Sequence, residues 1–347
     1  MTNDMISALK ALNAEQKQTK DSLVRLDDNA YLLDYKNDYA LDAMIQKGVS
    51  NVGELLAYAS KIFTLGTRKF KAGKIGAGCT TFSAHTANGE PLLARNFDYK
   101  AAPCLVVRTS PANGYKSIAV TDTNFMLYGY KKRPENDTDK LQLLLAPYIC
   151  VDGMNEKGLA IAVLELKAKP TQQKTGKTPI TTTLMIRTVL DKAANIDEAI
   201  ALFRQYDLQD SFFVCYHYQL TDATGRSVIL EFVNNEMRVV EAAKPEGAKY
   251  AFAACSNYFL TEGGDNSKGT GYDRYDKCMN KLTATGGELS TADSIKLLQY
   301  CTLRYYHQLT WPVITLWSAV YNCADLTLSL CAGMDYEHMH AIPVIAE

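Results

Sequence analysis

The sequence predicts an α+β layered fold, with antiparallel sheets covered by helices, in preference to an alternating βαβ array. From residue 79 onward, short runs rich in Val, Ile, Thr and aromatics follow one another, as meandering strands do. Helical stretches interrupt them. Turn dipeptides separate neighbouring runs, Asn88-Gly89 between the first two and Thr224-Gly225 between two later ones, and both are hairpin signals.

Residues 1–78 differ in texture: they contain no Pro and no Cys, and Met5, Ile6, Leu9 and Leu12 recur at helical spacing, which predicts a helical segment. A second helix is expected from about Asn51, where Leu55, Leu56, Tyr58, Ala59, Ile62 and Phe63 form a broad apolar face that needs cover from the rest of the chain. Gly73, Gly76 and Gly78 then loosen the backbone of KAGKIGAGC, read as a linker or processing site, just before the first cysteine. Strands are expected at 79–84, 91–97, 105–108, 159–166, 212–220 and 227–233, and again within 313–331. Helices are expected from Thr181 to about Tyr206 and from Thr291 to about Tyr300, the latter capped by Ser290.

With 347 residues, 47% of them apolar, the chain can bury one large core or two modest ones. Its 37 basic and 38 acidic residues nearly balance and form no basic block, so nucleic acid is not an expected partner. The start, MTNDMISALKALNAEQ, lacks the basic end and apolar stretch of a secretory signal. No stretch nears the roughly 20 apolar residues of a membrane span. Nine cysteines occur singly, without a C-x-x-C pair, which suits a reducing cytoplasm and thiols used as small buried hydrophobes. No metal or cofactor is expected; association of identical copies stays open.

Cys79 opens a strand directly after the Gly-rich stretch, and Arg95 and Asp98 lie on the next strand of the expected hairpin, so thiol, guanidinium and carboxylate can meet. The string CTTFSAHTANGEPLLARNFDY resembles the start of the mature chain in choloylglycine hydrolases, penicillin V acylases and their N-acylethanolamine acid amidase and acid ceramidase relatives. VDGMNEKGLAIAVLEL, TDATGRSVILEF, CSN at 255–257 and the arginine of GYDRYD continue the resemblance in order, to about residue 280. It implies a four-layer αββα N-terminal nucleophile hydrolase fold: a helical pro-segment, 1–78, that stays bound, and a catalytic domain, 79–347. It makes Cys79 the nucleophile, Asp98 the holder of its α-amino group, Arg95 a charge partner of the thiol, Asn257 an oxyanion donor and Arg274 a positioning charge. Glu165 stands where the bile-salt branch carries asparagine. Together with the helical pro-segment, that looks like the N-acylethanolamine amidase and ceramidase branch.

The residue types fit amide hydrolysis, which needs a nucleophile, a base, an oxyanion donor and an acid for the departing amine. A cysteine freed as residue one brings its own base, since an α-amine has a reference pKa of about 7.7 and a thiol of about 8.5. The five histidines, His85, His217, His307, His338 and His340, show no motif pairing any with Cys79, and read as surface or satisfied core residues. Taken singly, each candidate has an ordinary alternative: a lone Cys79 in the core, a surface Arg95–Asp98 pair, Glu165 facing water, Asn257 in a turn. Jointly they predict self-cleavage between Gly78 and Cys79, then hydrolysis of N-acyl amides through a thioester. The branch resemblance implies fatty acyl ethanolamides or N-acyl amino acids as the favoured substrates, ahead of bile-salt amides and penicillin V. The rivals are an N-acyltransferase using the same thioester and a non-catalytic binding protein on the same scaffold.

Overall fold

In the computed structural model, residues 10, 12–64, 78–126, 133–134, 136–211, 214–305 and 312–345 are described. The expected helix over Met5, Ile6 and Leu9, the glycines 73 and 76, Phe212 and His307 lie outside them.

Eighteen strands among the described residues build two large sheets and a small one. The site sheet is centred on β3 (Gly78–His85) and β4 (Pro91–Lys100), an antiparallel hairpin turning at Gly89, whose φ of +85° suits glycine. Beside β3 lies the short strand Ala254–Cys255; beyond β4 come Val313–Asn322, Thr327–Ala332 and His340–Pro343. The second sheet has nine strands in the order Val24–Arg25 (β1), Ala30–Tyr35 (β2), Cys104–Thr109, Ser117–Asp122, Asp152–Asn155, Ala160–Leu166, Cys215–Thr221, Ser227–Val233 and Glu236–Glu241. A two-stranded parallel pair joins Pro179–Thr181 to Asp207–Gln209.

The sheets stack face to face, with Thr81 Oγ1 of one reaching Gln219 Oε1 of the other at 2.5 Å. Helices Thr182–Lys192 and Ile196–Gln205 cover the nine-stranded sheet; Tyr272–Ala284 and Thr291–Tyr300 cover the site sheet. This is the expected four-layer αββα order. Strand alternation assigns each layer its side chains: Leu93 and Phe97 enter the core between the sheets, whereas Phe82, Ala84, Leu92 and Ala94 pack against Cys278, Leu282 and Leu298 under the helices. Ser290 caps Thr291–Tyr300 by accepting from Asp293 N, as expected.

Two expectations need correction. Residues 12–64 are not wholly helical: Ala30–Tyr35 is a strand that pairs in parallel with Cys104–Thr109 and extends the nine-stranded sheet. Tyr31, Leu33 and Tyr35 are buried while Leu32 and Asp34 are half-buried, a period of two that the helical reading passes over. The long helix expected from Thr181 is two helices, because Asn195 caps a new start by accepting from Glu198 N.

The helix Val52–Thr64 does bury the expected face: Leu55, Ala59 and Phe63 are at most 2% exposed. It joins the same core as the sheets. Phe63→Ala should therefore destabilise the uncut protein by about 3 to 5 kcal/mol in chemical denaturation, whereas Lys61→Ala, exposed on the same helix, should shift it by under about 0.5 kcal/mol.

Candidate active site

Because β3 and β4 pair with Gly78 opposite Asp98 and Cys79 opposite Phe97, the start of β3 meets the end of β4. Cys79 and Arg95 face the space between the sheets, while Thr80 and Asp98 face the helical layer. The thiol is therefore addressed from one side and the backbone around it from the other.

On the inner side, Arg95 Nη2 donates to Cys79 Sγ at 3.1 Å and to the Val163 carbonyl at 3.2 Å. Its Nη1 donates to Asp152 Oδ2 at 2.7 Å and to the Val151 carbonyl at 3.2 Å. Arg95 and Asp152 have no exposure to water. Trp317 Nε1 at 3.0 Å and the Tyr321 hydroxyl at 2.9 Å also donate to Asp152. A register shift between Thr315 and Trp317, opposite Asp98 and Phe97, accompanies two side-chain contacts. Thr315 Oγ1 bonds Asp98 Oδ1 at 2.5 Å, and the Trp317 ring stacks on Phe97 at 4.2 Å.

On the outer side, Arg274 from helix Tyr272–Ala284 donates through Nη1 to the Cys79 carbonyl, to Thr80 Oγ1 at 2.7 Å and to Asp98 Oδ2 at 3.5 Å. Its Nη2 donates to Asn257 Oδ1 at 2.8 Å. Asn257 Oδ1 also accepts from Cys79 N at 2.9 Å, and Asn257 Nδ2 donates to the Glu165 carbonyl at 2.9 Å. The chain thus brings Cys79, Arg95, Asp98, Asn257 and Arg274 together, with the main chain of Glu165. The Cys79 nitrogen, a peptide amide in this chain, donates to Asn257 Oδ1. The Glu165 side chain is half-buried and adds its charge to the factors that raise the hydroxyls of Tyr216 and Tyr99.

Burial dominates the electrostatics. It pushes the Cys79 thiol up to about 11, against the pull of Arg95 and with an added push from Asp98. It raises Asp98 to about 6, against Arg274, Thr315 and Arg95. A Cβ on Gly78 would lie 3.2 Å from Asp98 Oδ2, tighter than ordinary contact, so the missing side chain leaves room for that carboxylate. The sequence reading does not reach Asp152, Thr315, Trp317 or Tyr321. Asp152 is the one with a signal, as the first acid of VDGMNEKGLAIAVLEL.

Asp152 neutralises a cation that cannot shed its proton. Asp152→Asn should therefore lower the stability of the intact chain by roughly 3 kcal/mol or more in denaturant melts, because it leaves the Arg95 charge buried without a counter-charge. A loss under about 1 kcal/mol would mean that Arg95 has another counter-charge.

Residues 79–247 match the family model for linear amide C–N hydrolases, choloylglycine hydrolase family. Among solved structures, two variants of conjugated bile acid hydrolase from Clostridium perfringens share the fold. One is 14% identical with a TM-score of 0.53, the other 15% identical with 0.54, each match covering 76% of this chain and 92% of the other. A Caenorhabditis elegans ortholog of N-acylethanolamine-hydrolyzing acid amidase superposes with a TM-score of 0.46 at 15% identity, over 71% of this chain and 93% of that one, and carries no weight in the choice of substrate. Residues 79–247 are thus similar to the linear amide C–N hydrolases of the choloylglycine hydrolase family, and the chain shares the fold of conjugated bile acid hydrolase.

Proposed function

We propose that Cys79, freed by self-cleavage after Gly78, hydrolyses N-acyl amides through a thioester. The observation that carries this reading is the Arg95 Nη2 donor 3.1 Å from Cys79 Sγ: the cation offsets part of the burial that holds the thiol up at about 11, so a nearby base has less to do in forming the thiolate, the form that attacks.

In the precursor the Cys79 nitrogen is an amide and cannot act as a base. The thiol attacks the Gly78 carbonyl, the acyl group passes from nitrogen to sulfur, and water then releases the Gly78 carboxylate and restores the thiol. Asp98 is the proton acceptor for this step and returns the proton to the Cys79 nitrogen as the carbon–nitrogen bond breaks. Its place opposite Gly78 in the β3–β4 register and its pKa of about 6 support the role. Once free, the α-amine takes the proton of Cys79, and Asn257 Oδ1 and Asp98 orient it. Attack on the substrate carbonyl generates an oxyanion that Asn257 Nδ2 meets while still tied to the Glu165 carbonyl. The amine leaves with a proton, and water cleaves the thioester. Residues 1–78 stay attached after the cut, a reading supported by the strand Ala30–Tyr35 in the nine-stranded sheet and by buried Phe63. A reducing cytoplasm suits the nine cysteines, all free and buried.

Fatty acyl ethanolamides or N-acyl amino acids are the proposed substrates, and Glu165 is the residue that reads the head group. A carboxylate there repels an anionic leaving group. The kcat/KM ratio for a fatty acyl ethanolamide over a matched acyl taurine should fall by roughly 10-fold in Glu165→Asn, as expected when one repulsive charge is removed. An unchanged ratio in fully processed protein would remove Glu165 from head-group recognition.

Self-cleavage should rise with pH through a midpoint near 6, because only the ionised Asp98 accepts a proton and burial holds its pKa there. First-order rates of precursor loss across pH 4 to 8 give that curve. In Asp98→Asn the rate should fall by roughly 100-fold and the step near 6 should vanish; a retained step would assign the proton to another group.

A further inference from the structure

One buried charged side chain and one buried imidazole lie beside the site without entering the chemistry above. Glu231 and His217 have no exposure to water. His217 projects from Cys215–Thr221 in the nine-stranded sheet across to the site sheet, where its Nε2 stands 2.7 Å from the Ser256 carbonyl. A carbonyl only accepts, so Nε2 carries the hydrogen of that bond. His217 Nδ1 lies 3.0 Å from Glu231 Oε1. Glu231 also accepts from Leu260 N at 2.9 Å and from Thr261 N at 2.8 Å.

These contacts bracket one residue. Ser256 is held on one side of Asn257 and Leu260 and Thr261 on the other, so a single His–Glu pair fixes both flanks of the segment that carries the carboxamide. The Ser256 carbonyl belongs to the peptide group that joins Ser256 to Asn257. A bond to that oxygen therefore sets the peptide plane from which the Asn257 side chain departs. On the far side, Thr270 N donates to the Asn257 carbonyl at 3.0 Å and Ser256 Oγ to the Gly271 carbonyl at 2.9 Å.

We propose that His217 is a positioning residue for Asn257, acting through the Ser256 carbonyl and braced by Glu231. This rests on the amide-hydrolase reading, in which Asn257 meets the oxyanion. An apolar pair could fill the space between the sheets without the cost of desolvating a carboxylate and an imidazole. What such a pair could not supply is a donor aimed at one carbonyl. An error on the order of 1 Å in a group that meets the transition state costs up to about 100-fold in rate, and the cost falls on kcat because the oxyanion exists only there.

The test uses the full chain and a fatty acyl ethanolamide as substrate, with thermal melts and self-cleavage recorded for each variant. His217→Phe fills the space and removes the donor. His217→Gln keeps an N–H at about the reach of Nε2. Glu231→Gln keeps the shape and removes the charge that braces the ring.

In fully processed protein, kcat should fall roughly 10- to 100-fold in His217→Phe with KM within about twofold, and His217→Gln should recover kcat to within about fivefold of wild type. Glu231→Gln should show the same kcat pattern at smaller amplitude, and it carries the test if His217→Phe does not fold. Folded variants with kcat unchanged, or with KM rising in step with lost activity, would overturn the positioning role. So would Phe and Gln variants equally impaired, since that is the mark of packing alone. A wild-type protein that turns over no amide would overturn the amide-hydrolase reading itself, and this role with it.

Discussion

A guanidinium without access to water, Arg95, stands between the thiol of Cys79 and the carboxylate of Asp152, and much of the architecture follows from the need to keep that charge satisfied. An isolated buried cation is costly enough to unfold a domain of ordinary stability. The cost is met by bringing the nine-stranded sheet against the site sheet, so that Val151, Asp152 and Val163 of one supply acceptors to an arginine of the other. Trp317 and Tyr321, on a strand adjacent to β4, hold the remaining valences of Asp152. Stacking of the sheets and polarisation of the thiol are thus one interaction seen from two ends.

Strand alternation divides the labour around Cys79. Odd positions of β3 face the nine-stranded sheet and expose the thiol to Arg95; even positions face the helices, where Arg274 grips Thr80, Asp98 and the Cys79 carbonyl. A one-residue slip of β3 against β4 would exchange those faces and separate the thiol from its cation. The Asn88-Gly89 turn, by fixing the register that sets Gly78 against Asp98, does more for the site than its distance from it suggests.

Local signals carried much of the fold in the sequence. The β3–β4 hairpin announces itself by its turn pair, Ser290 by its place before a helical run, and the helix Val52–Thr64 by its apolar spacing. Features that depend on distant partners were less legible. Ala30–Tyr35 is a strand because Cys104–Thr109 offers it an edge, and Asp152 matters because Arg95 reaches it from 57 residues away. The five motif residues were legible as a set because their order along the chain resembled a family. Their spatial division into a thiol side and a backbone side was not, since it depends on which face of β3 meets the second sheet. His217 read, with the other histidines, as a surface or satisfied core residue, and the structure places it in the core; its partner Ser256, 39 residues away, cannot be named from spacing.

The account turns on whether Cys79 becomes a chain terminus, because only then does its nitrogen change from an amide bonded to Asn257 into an amine able to take the thiol proton. Intact-mass analysis of purified protein after incubation without protease, with Cys79→Ala in parallel, addresses that directly. Two fragments are expected for the wild type, residues 1–78 and 79–347, and one chain for the variant. A wild-type protein that remains a single chain while hydrolysing N-acyl amides at full rate would contradict the account, for its thiol would then be activated by a base other than its own α-amine.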